Sequence, residues 1–287
     1  MALRKGAGAI RYDATRSQRP SMSTPLHSLP PIPASVDLRD RVVLVTGATG
    51  GLGRPIALAC AAAGATVVLH AHVVRRLEEV YDAIVDAGHP EPTILPLDLA
   101  KAGADDFSNV ASALNAQLHR LDAIVHTAVM LGALSPIEHQ SFESWLALLR
   151  VNVAAPMGLT RALMPLLTQA PDASVVFTLD SRGEAPRAYW GGYAVTKAAI
   201  GALARELADE WENRPNLRVN AVVPGPIRSP LRRQTHPGED PTKLPLPDQL
   251  VPLYLSLIGA QAKSDSGILV DAQAWLAGAP CAASLRP

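Results

Sequence analysis

From Asp40 onward, short apolar runs rich in β-branched residues alternate with longer runs rich in alanine and leucine. The short runs are almost continuously apolar, which is typical of strands in a parallel sheet with helices on both faces. They predict seven strands, at Val42–Thr46, Thr66–His70, Thr93–Pro96, Ala123–His126, Ser174–Thr178, Arg218–Val222 and Ile268–Val270. The longer runs predict helices at about 52–63, 75–87, 107–118, 141–167, 193–212 and 247–258. This alternation predicts an α/β fold of the Rossmann type, doubly wound around a mostly parallel, seven-stranded sheet.

The alternation also predicts the domain organisation. A chain of 287 residues could hold one domain or two, but no second pattern and no repeat is present. We therefore predict one domain over residues 40–275 and a C-terminal tail over 276–287. Residues 1–39 are rich in Arg, Ser and Pro and are predicted to be a disordered tail. Two further interpretations stay open for this segment: a natural start at Met22, or an organellar transit peptide.

Composition narrows the classes of function. The formal net charge is zero and the pI is about 7.1, so the basic excess of a nucleic-acid-binding protein is missing. No apolar run reaches the roughly 18 residues that a membrane span needs. Cys60 and Cys281 are far apart and outside any metal-binding motif. We therefore expect a cytoplasmic protein with reduced thiols, no metal site, and no nucleic-acid or membrane partner.

A glycine-rich segment, Thr46–Gly53, directly follows the first predicted strand and opens into a helix. Glycines there permit a tight turn and close approach of the backbone to a pyrophosphate, which the helix N-terminus favours electrostatically. No Gly-Lys-Ser/Thr sequence follows, which disfavours a P-loop nucleotidase. Because ligands of such sheets bind beyond the carboxyl ends of the strands, this segment predicts a dinucleotide site.

The end of the second strand bears on the choice of dinucleotide. An acidic residue there would bind the ribose diol of NAD, but the segment His70–Arg76 contains none. His72, Arg75 or Arg76 could instead contact a 2′-phosphate, which favours NADP over NAD. The alternative is that both arginines only begin the next helix on its solvent-exposed side.

A tyrosine–lysine pair lies well downstream, on a predicted helix. Tyr193 and Lys197 are four residues apart, so their side chains share one helix face. A phenol has a pKa near 10 and is a weak acid or base at neutral pH. A nearby ammonium would lower that pKa and make the phenol useful for proton transfer.

The TGxxxGxG spacing, the later YxxxK and the segment Pro224–Ser229, in this order, resemble the short-chain dehydrogenase/reductase family. The resemblance extends over about residues 40–271. Within the family it is closest to the YciK-like subgroup, judged from Leu77–Tyr81, Leu131–Glu138 and His236–Pro241. It implies an NAD(P)-dependent oxidoreductase that interconverts a small-molecule alcohol and a carbonyl. It also implies a homodimer or homotetramer built on the helices of Asn152 and Tyr193.

The resemblance implies roles for individual residues. Tyr193 would be the general acid/base, aided by Lys197 and by Asn152 in a proton relay, with Asp180 or Ser181 orienting the substrate. Asp98 would lie beside the adenine, although it could equally be a simple turn residue. The residues implied to bind the cofactor are Gly47, Thr49, Gly51, Leu52, Gly53, His72, Asp98, Leu99, Ala128, Tyr193, Lys197, Pro224, Gly225 and Ile227.

Two departures from the family pattern bear on catalysis. The family has a serine thirteen residues before the tyrosine; here that position is Asp180, and Ser181 is one residue out of register. An ionised Asp180 could not donate to a carbonyl and would raise the pKa of Tyr193. The family's NNAG segment reads His126–Val129, and we expect the bulk of Val129 to crowd the cofactor site.

These departures leave alternative functions open. One is a dinucleotide-binding protein with impaired catalysis that acts as a sensor or partner subunit. Related chemistry on the same fold, such as epimerisation or dehydration, is another. The Pro-rich segment from Ser229 to Pro247 is predicted to form a lid, with Arg232 and Arg233 in a mixed-charge loop or, alternatively, facing an anionic substrate.

Overall fold

Eight strands form one sheet in the computed structural model, which describes residues 28–29, 35–260 and 266–286. The strands are β1 Val42–Thr46, β2 Thr66–Ala71, β3 Thr93–Pro96, β4 Ala123–His126, β5 Ala173–Thr178, β6 Leu217–Val223, β7 Ile268–Asp271 and β8 Ala282–Ser284. Their order is β3-β2-β1-β4-β5-β6-β7-β8, and all neighbours are parallel except β7 and β8. The Rossmann-type, doubly wound α/β fold is confirmed, because the chain reverses direction across the sheet between β1 and β4.

The helices lie on both faces of this sheet. They are α1 Gly53–Ala62, α2 Val74–Asp86, α3 Ala104–Leu118, α4 Phe142–Leu149, α5 Ala155–Gln169, α6 Ser181–Glu184, α7 Gly191–Glu210, α8 Pro230–Thr235, α9 Val251–Ile258 and α10 Ala272–Leu276. Helices α1, α2 and α9 cover one face, and α3, α5 and α7 cover the other. Successive residues of β1 alternate between the two cores: Val43 and Val45 lie in one, Val42 and Leu44 in the other.

The predicted strand boundaries agree with the structure along the sheet, whereas the predicted tails at the two ends of the chain agree less well. The predicted seven-stranded sheet is one strand short, since β8 lies in the segment predicted as a C-terminal tail and pairs antiparallel with β7. Val36 and Leu38, inside the predicted N-terminal tail, are buried in the core. Residues 1–27 and 30–34, where the prediction of disorder also falls, lie outside the described residues.

The long helix predicted over 141–167 is interrupted. A π-helical turn at Arg150–Ala154 separates α4 from α5. Such turns often occur at functional sites, and this one contains Asn152. Within the described residues, no helix is long and apolar enough to cross a membrane.

Candidate active site

A cavity of about 780 Å³ opens beyond the carboxyl ends of the strands. Its wall combines the glycine-rich loop after β1 with the segments that follow the neighbouring strands, and it is completed by α7 and α8. Every residue that the sequence implied as a cofactor ligand lines it, and so do Asp180 and Ser181. Topology therefore brings together residues that are far apart in the chain.

The glycine loop fits closely against the end of β4. Gly47 has φ +68°, and a Cβ atom there would lie 2.9 Å from the backbone of Ala128. A side chain at Gly53 would clash with the carbonyl of Gly47. Glycine is therefore required at both positions, and the loop borders the cavity through Thr49–Gly53.

Two side chains that follow β2 line the same cavity, those of His72 and Arg76. Arg75 does not line it and instead forms an exposed i,i+4 ion pair with Glu79, at 3.8 Å. Of the two arginines, only Arg76 is thus placed to contact a bound ligand. Asp98 lines the same cavity. It also accepts a hydrogen bond of 3.0 Å from the amide of Ala100, so it stabilises the turn after β3 as well.

Val129 follows β4 and lines the cavity, with 38% of its surface exposed. That it crowds a bound cofactor stays a prediction. His126, at the end of β4, is buried, stacked on Phe177 at 5.0 Å and bonded through Nε2 to the Thr160 hydroxyl at 3.0 Å. Burial lowers the pKa of His126 to about 3, with a smaller effect of nearby His70, so this imidazole is neutral at physiological pH.

Tyr193, near the start of α7, is held by a carboxylate. Its hydroxyl donates to Oδ2 of Asp180 at 2.9 Å. Oδ1 of Asp180 accepts from the backbone N–H of Arg182 at 2.8 Å and so caps α6. Asp180 rather than Ser181 is therefore the residue in contact with Tyr193, as the spacing of thirteen residues implied.

The electrostatics of Tyr193 differ from the simple expectation of a lysine-activated phenol. Burial, and then the charge and hydrogen bond of Asp180, raise its pKa above the ordinary value. Lys197 lies on the same helix face, 5.8 Å from the centre of the Tyr193 ring, and donates from Nζ to the carbonyl of Thr178 at 2.8 Å. Burial lowers the pKa of Lys197 to about 8, partly offset by Asp180. The carboxylate thus outweighs the ammonium in its effect on the phenol.

The contact between α6 and α7 keeps these groups together. A Cβ atom at Gly183 would lie 2.6 Å from the backbone of Lys197, so the two helices touch directly at this glycine. The short helix that begins after Asp180 is thereby fixed against the helix that carries Tyr193. Because Gly183 has no side chain, α6 can approach α7 closely, and this approach sets the distance between Asp180 and Tyr193.

Asn152 forms no hydrogen bond with Tyr193 or Lys197 and does not line the cavity. Its amide Nδ2 donates to the carbonyl of Met130 at 2.8 Å and to the hydroxyl of Thr196 at 3.0 Å. Its Oδ1 accepts from the N–H of Met130 at 2.8 Å. Asn152 therefore ties the segment after β4 to α7, which makes it a positioning residue in this structure.

Several cavity residues were missed by sequence reasoning. Thr178, Arg182 and Trp190 line the cavity near Tyr193, and none belongs to a motif that could have marked it. The predicted lid is present in part as α8, whose Pro230 packs so closely on the glycine loop that a Cβ atom at Gly51 would lie 2.9 Å away. These residues are adjacent only in the folded chain.

The charged residues of this lid include one ion pair. Arg232 forms a two-point contact with Glu239, at 2.6 and 2.7 Å. This pairing confirms the mixed-charge interpretation for Arg232. No group of His, Cys, Asp and Glu able to hold a metal ion occurs within the described residues.

Comparison with known proteins agrees with this site. The family model for short chain dehydrogenases matches residues 41–240. The oxidoreductase YciK of Escherichia coli (strain K12) is 39% identical over 236 residues, which is 82% of this chain and 93% of YciK.

Two solved structures are similar over the same share of the chain. A short chain dehydrogenase of Shigella flexneri complexed with NADP has a TM-score of 0.79 and 38% identity, covering 82% of this chain and 98% of its own. One from Escherichia coli CFT073 complexed with NADPH has the same TM-score of 0.79, the same 38% identity and the same coverage. With the glycine loop and the Tyr193–Lys197 pair in one cavity, these matches show that the chain belongs to the short-chain dehydrogenase/reductase family of oxidoreductases and is similar to YciK.

Proposed function

We propose that this protein is an NADP(H)-dependent oxidoreductase that interconverts the alcohol and carbonyl forms of a small molecule. The observation that carries the proposal is the placing of Tyr193 and Lys197 in the same cavity as the glycine loop. One part of the cavity suits a dinucleotide pyrophosphate, and another presents a proton-transfer group.

The residues present fit a nicotinamide dinucleotide. The close approach of Gly47 to Ala128 leaves a cradle without side chains, in which a pyrophosphate would meet backbone N–H groups. Arg76 and His72 would hold a 2′-phosphate, which supports NADP over NAD. Lys197 and the segment Pro224–Ile227 would hold the nicotinamide half. NADP and NADPH in the two similar structures also support this choice.

The chain's own residues would handle the proton. A bound nicotinamide supplies or accepts the hydride at the substrate carbon. In carbonyl reduction, Oη of Tyr193 would pass its proton to the carbonyl oxygen, and in alcohol oxidation the phenolate would take that proton from the substrate hydroxyl. The carboxylate of Asp180, 2.9 Å from the Tyr193 hydroxyl, disfavours this phenolate.

Lys197 would stabilise the negative charge that develops on the phenol and substrate oxygens. Its ammonium is held in place by the Thr178 carbonyl. With its pKa lowered to about 8, Lys197 is still charged at neutral pH. It loses that charge as the pH rises through about 8, and turnover is expected to fall there.

The bond between Tyr193 and Asp180 also favours a second candidate function. A phenol whose pKa is raised gives up its proton less readily, so the site could retain the dinucleotide without efficient turnover. The protein would then act as a nucleotide sensor or as the partner subunit of another enzyme. The two candidates share the cofactor and differ in chemistry.

Fluorescence titration with NADPH and NADH, followed by a turnover screen over carbonyl compounds, distinguishes them. We expect NADPH to bind more tightly than NADH and to be oxidised. Tyr193→Phe should bind NADPH normally and lose about 10²–10⁴-fold in turnover. The matched control is Tyr189→Phe, since Tyr189 is exposed and outside the cavity. Binding without turnover would favour the second candidate, and failure to bind either dinucleotide would refute both.

We also propose that the protein forms a homodimer or homotetramer through the helices on either side of Asn152 and through α7. Exposed apolar side chains support this surface: Phe142 on α4 is 72% exposed, Met157 on α5 is 43% exposed and Val195 on α7 is 47% exposed. Light scattering on the purified protein tests the oligomeric state, and a monomer would contradict the proposal.

A further inference from the structure

Near Tyr193 the cavity contains an arginine that the proposed proton transfer does not use. Arg182, the second residue of α6, is half-buried and lines the cavity together with Tyr193. Its guanidinium carbon lies 4.8 Å from the centre of the Trp190 ring. Stacking of this kind engages the flat face of a guanidinium and leaves the N–H donors along its edge available.

These donors lack a partner in the part of the chain that the structure describes. The other cavity arginine of this region, Arg232, is neutralised by Glu239, whereas the Arg182 side chain forms no ion pair or hydrogen bond with any described residue. The adjacent carboxylate is already engaged, because Asp180 accepts from the Tyr193 hydroxyl and from the Arg182 backbone N–H. An oriented cation with unsatisfied donors in a cavity is suited to bind an anion.

The position of this cation relates it to the reacting atoms. Trp190 is next to both Arg182 and Tyr193, with its ring centre 5.6 Å from that of Tyr193. A substrate whose carbonyl oxygen meets the Tyr193 hydroxyl would therefore extend along Trp190 toward the guanidinium. Lys197, the other cation of this region, adds to the attraction for a negatively charged molecule.

We infer that Arg182 determines substrate specificity by binding an anionic group, and that the substrates are oxo acids and their hydroxy acid counterparts. The carboxylate would lie a few bonds from the carbonyl and form charge-assisted hydrogen bonds with Arg182. Trp190 holds the guanidinium in orientation and provides an apolar wall for the intervening carbon atoms. This inference rests on the proposed function, since it names the substrate class of the same site.

The test compares acids with their neutral esters, using 4-oxopentanoate and its methyl ester, and 2-oxo-4-phenylbutanoate and its ethyl ester. Both kcat/KM and binding to the NADPH-loaded protein are measured, the latter by titration without turnover. We expect at least one acid to be preferred over its ester by about ten- to a hundredfold, the value of one charged hydrogen bond. Arg182→Gln should remove the preference by raising the KM of the acid and leave the KM of the ester unchanged.

Two further variants separate recognition from folding. Arg182→Lys keeps the charge but loses the flat stacked group, and should retain part of the preference. Arg187→Gln removes an exposed arginine outside the cavity and should behave as the wild type. An unchanged NADPH affinity in the Arg182 variants shows that the cofactor site is intact.

The outcomes distinguish this inference from the proposed function. Acid binding that depends on Arg182, without turnover, would support the inference and contradict the proposed oxidoreductase activity. Turnover or binding in which acids and esters are equivalent, with no effect of Arg182→Gln, would overturn the inference and leave the proposed function standing.

Discussion

Replacing Asp180 by serine tests the proton transfer most directly. Asp180→Ser removes the carboxylate 2.9 Å from the Tyr193 hydroxyl. Serine is also a good N-cap, so it can replace the 2.8 Å bond to the Arg182 N–H and preserve α6. The variant therefore changes the charge and proton affinity at this position while the local fold is kept.

The size of the expected rate change follows from the distance between the Tyr193 hydroxyl and the Asp180 carboxylate. Two unit charges about 3 Å apart interact by about 5 kcal/mol at an effective dielectric constant of about 20, which is an upper limit on what Asp180 costs a phenolate at Tyr193. Serine would also add a donor to the substrate carbonyl, and one such donor typically changes the rate by about 10²–10³-fold. We expect Asp180→Ser to raise the reductive kcat/KM by about 10²–10³-fold at pH 7.

The assay is the pH dependence of the reductive kcat/KM. In the wild type, the rate should fall as the pH rises through about 8, where Lys197 loses its charge. Asp180 raises the pKa of Lys197, so in Asp180→Ser this fall should begin at a lower pH.

Two results would refute this reasoning. One is a pH profile that the substitution leaves unchanged, which would mean that the titrating group is not Lys197 under the influence of Asp180. The other is a lower reductive rate of Asp180→Ser at pH 7. The matched control is Glu184→Gln on the same short helix, since Glu184 pairs with Arg205 at 3.5 Å and does not line the cavity.

Three further predictions concern the cofactor and the core. Arg76→Ala should weaken NADPH binding by about 10–100-fold without weakening NADH, whereas Arg75→Ala should leave both affinities unchanged in the same titrations. Asp172→Ala should lower the free energy of unfolding by about 3–5 kcal/mol in urea melts, because it leaves two buried arginine side chains without their carboxylate. Burial holds the pKa of His126 at about 3 against an ordinary 6.5, so the unfolded chain binds the extra proton and stability is lost as the pH falls below about 6.5. His126→Asn should therefore lose less stability than the wild type between pH 7 and pH 4, by a few kcal/mol at most. The control is His139→Asn, whose side chain is 68% exposed, and an equal acid loss in both variants would contradict this prediction.

The strands of the sheet could be predicted nearly to the residue, because buried parallel strands require continuous β-branched apolar runs that are visible locally. The elements that were missed are short. Helices α6, α8 and α10 have six residues or fewer and too few turns for a helical period to show. β8 consists of Ala282–Ser284, which has little β-propensity, and it becomes a strand only because it meets β7.

By itself, the sequence determined the parts of the site that depend on local spacing: the glycine loop, whose backbone conformation only glycine tolerates, and the i,i+4 pair Tyr193 and Lys197. Only the tertiary structure decided which of Asp180 and Ser181 contacts Tyr193, and that Asn152 acts through Met130 and Thr196. It also decided that Arg182 lies over Trp190 in the cavity. The physical reason is that these contacts depend on where a strand ends and how two helices cross, and both are fixed by the packing of the whole sheet.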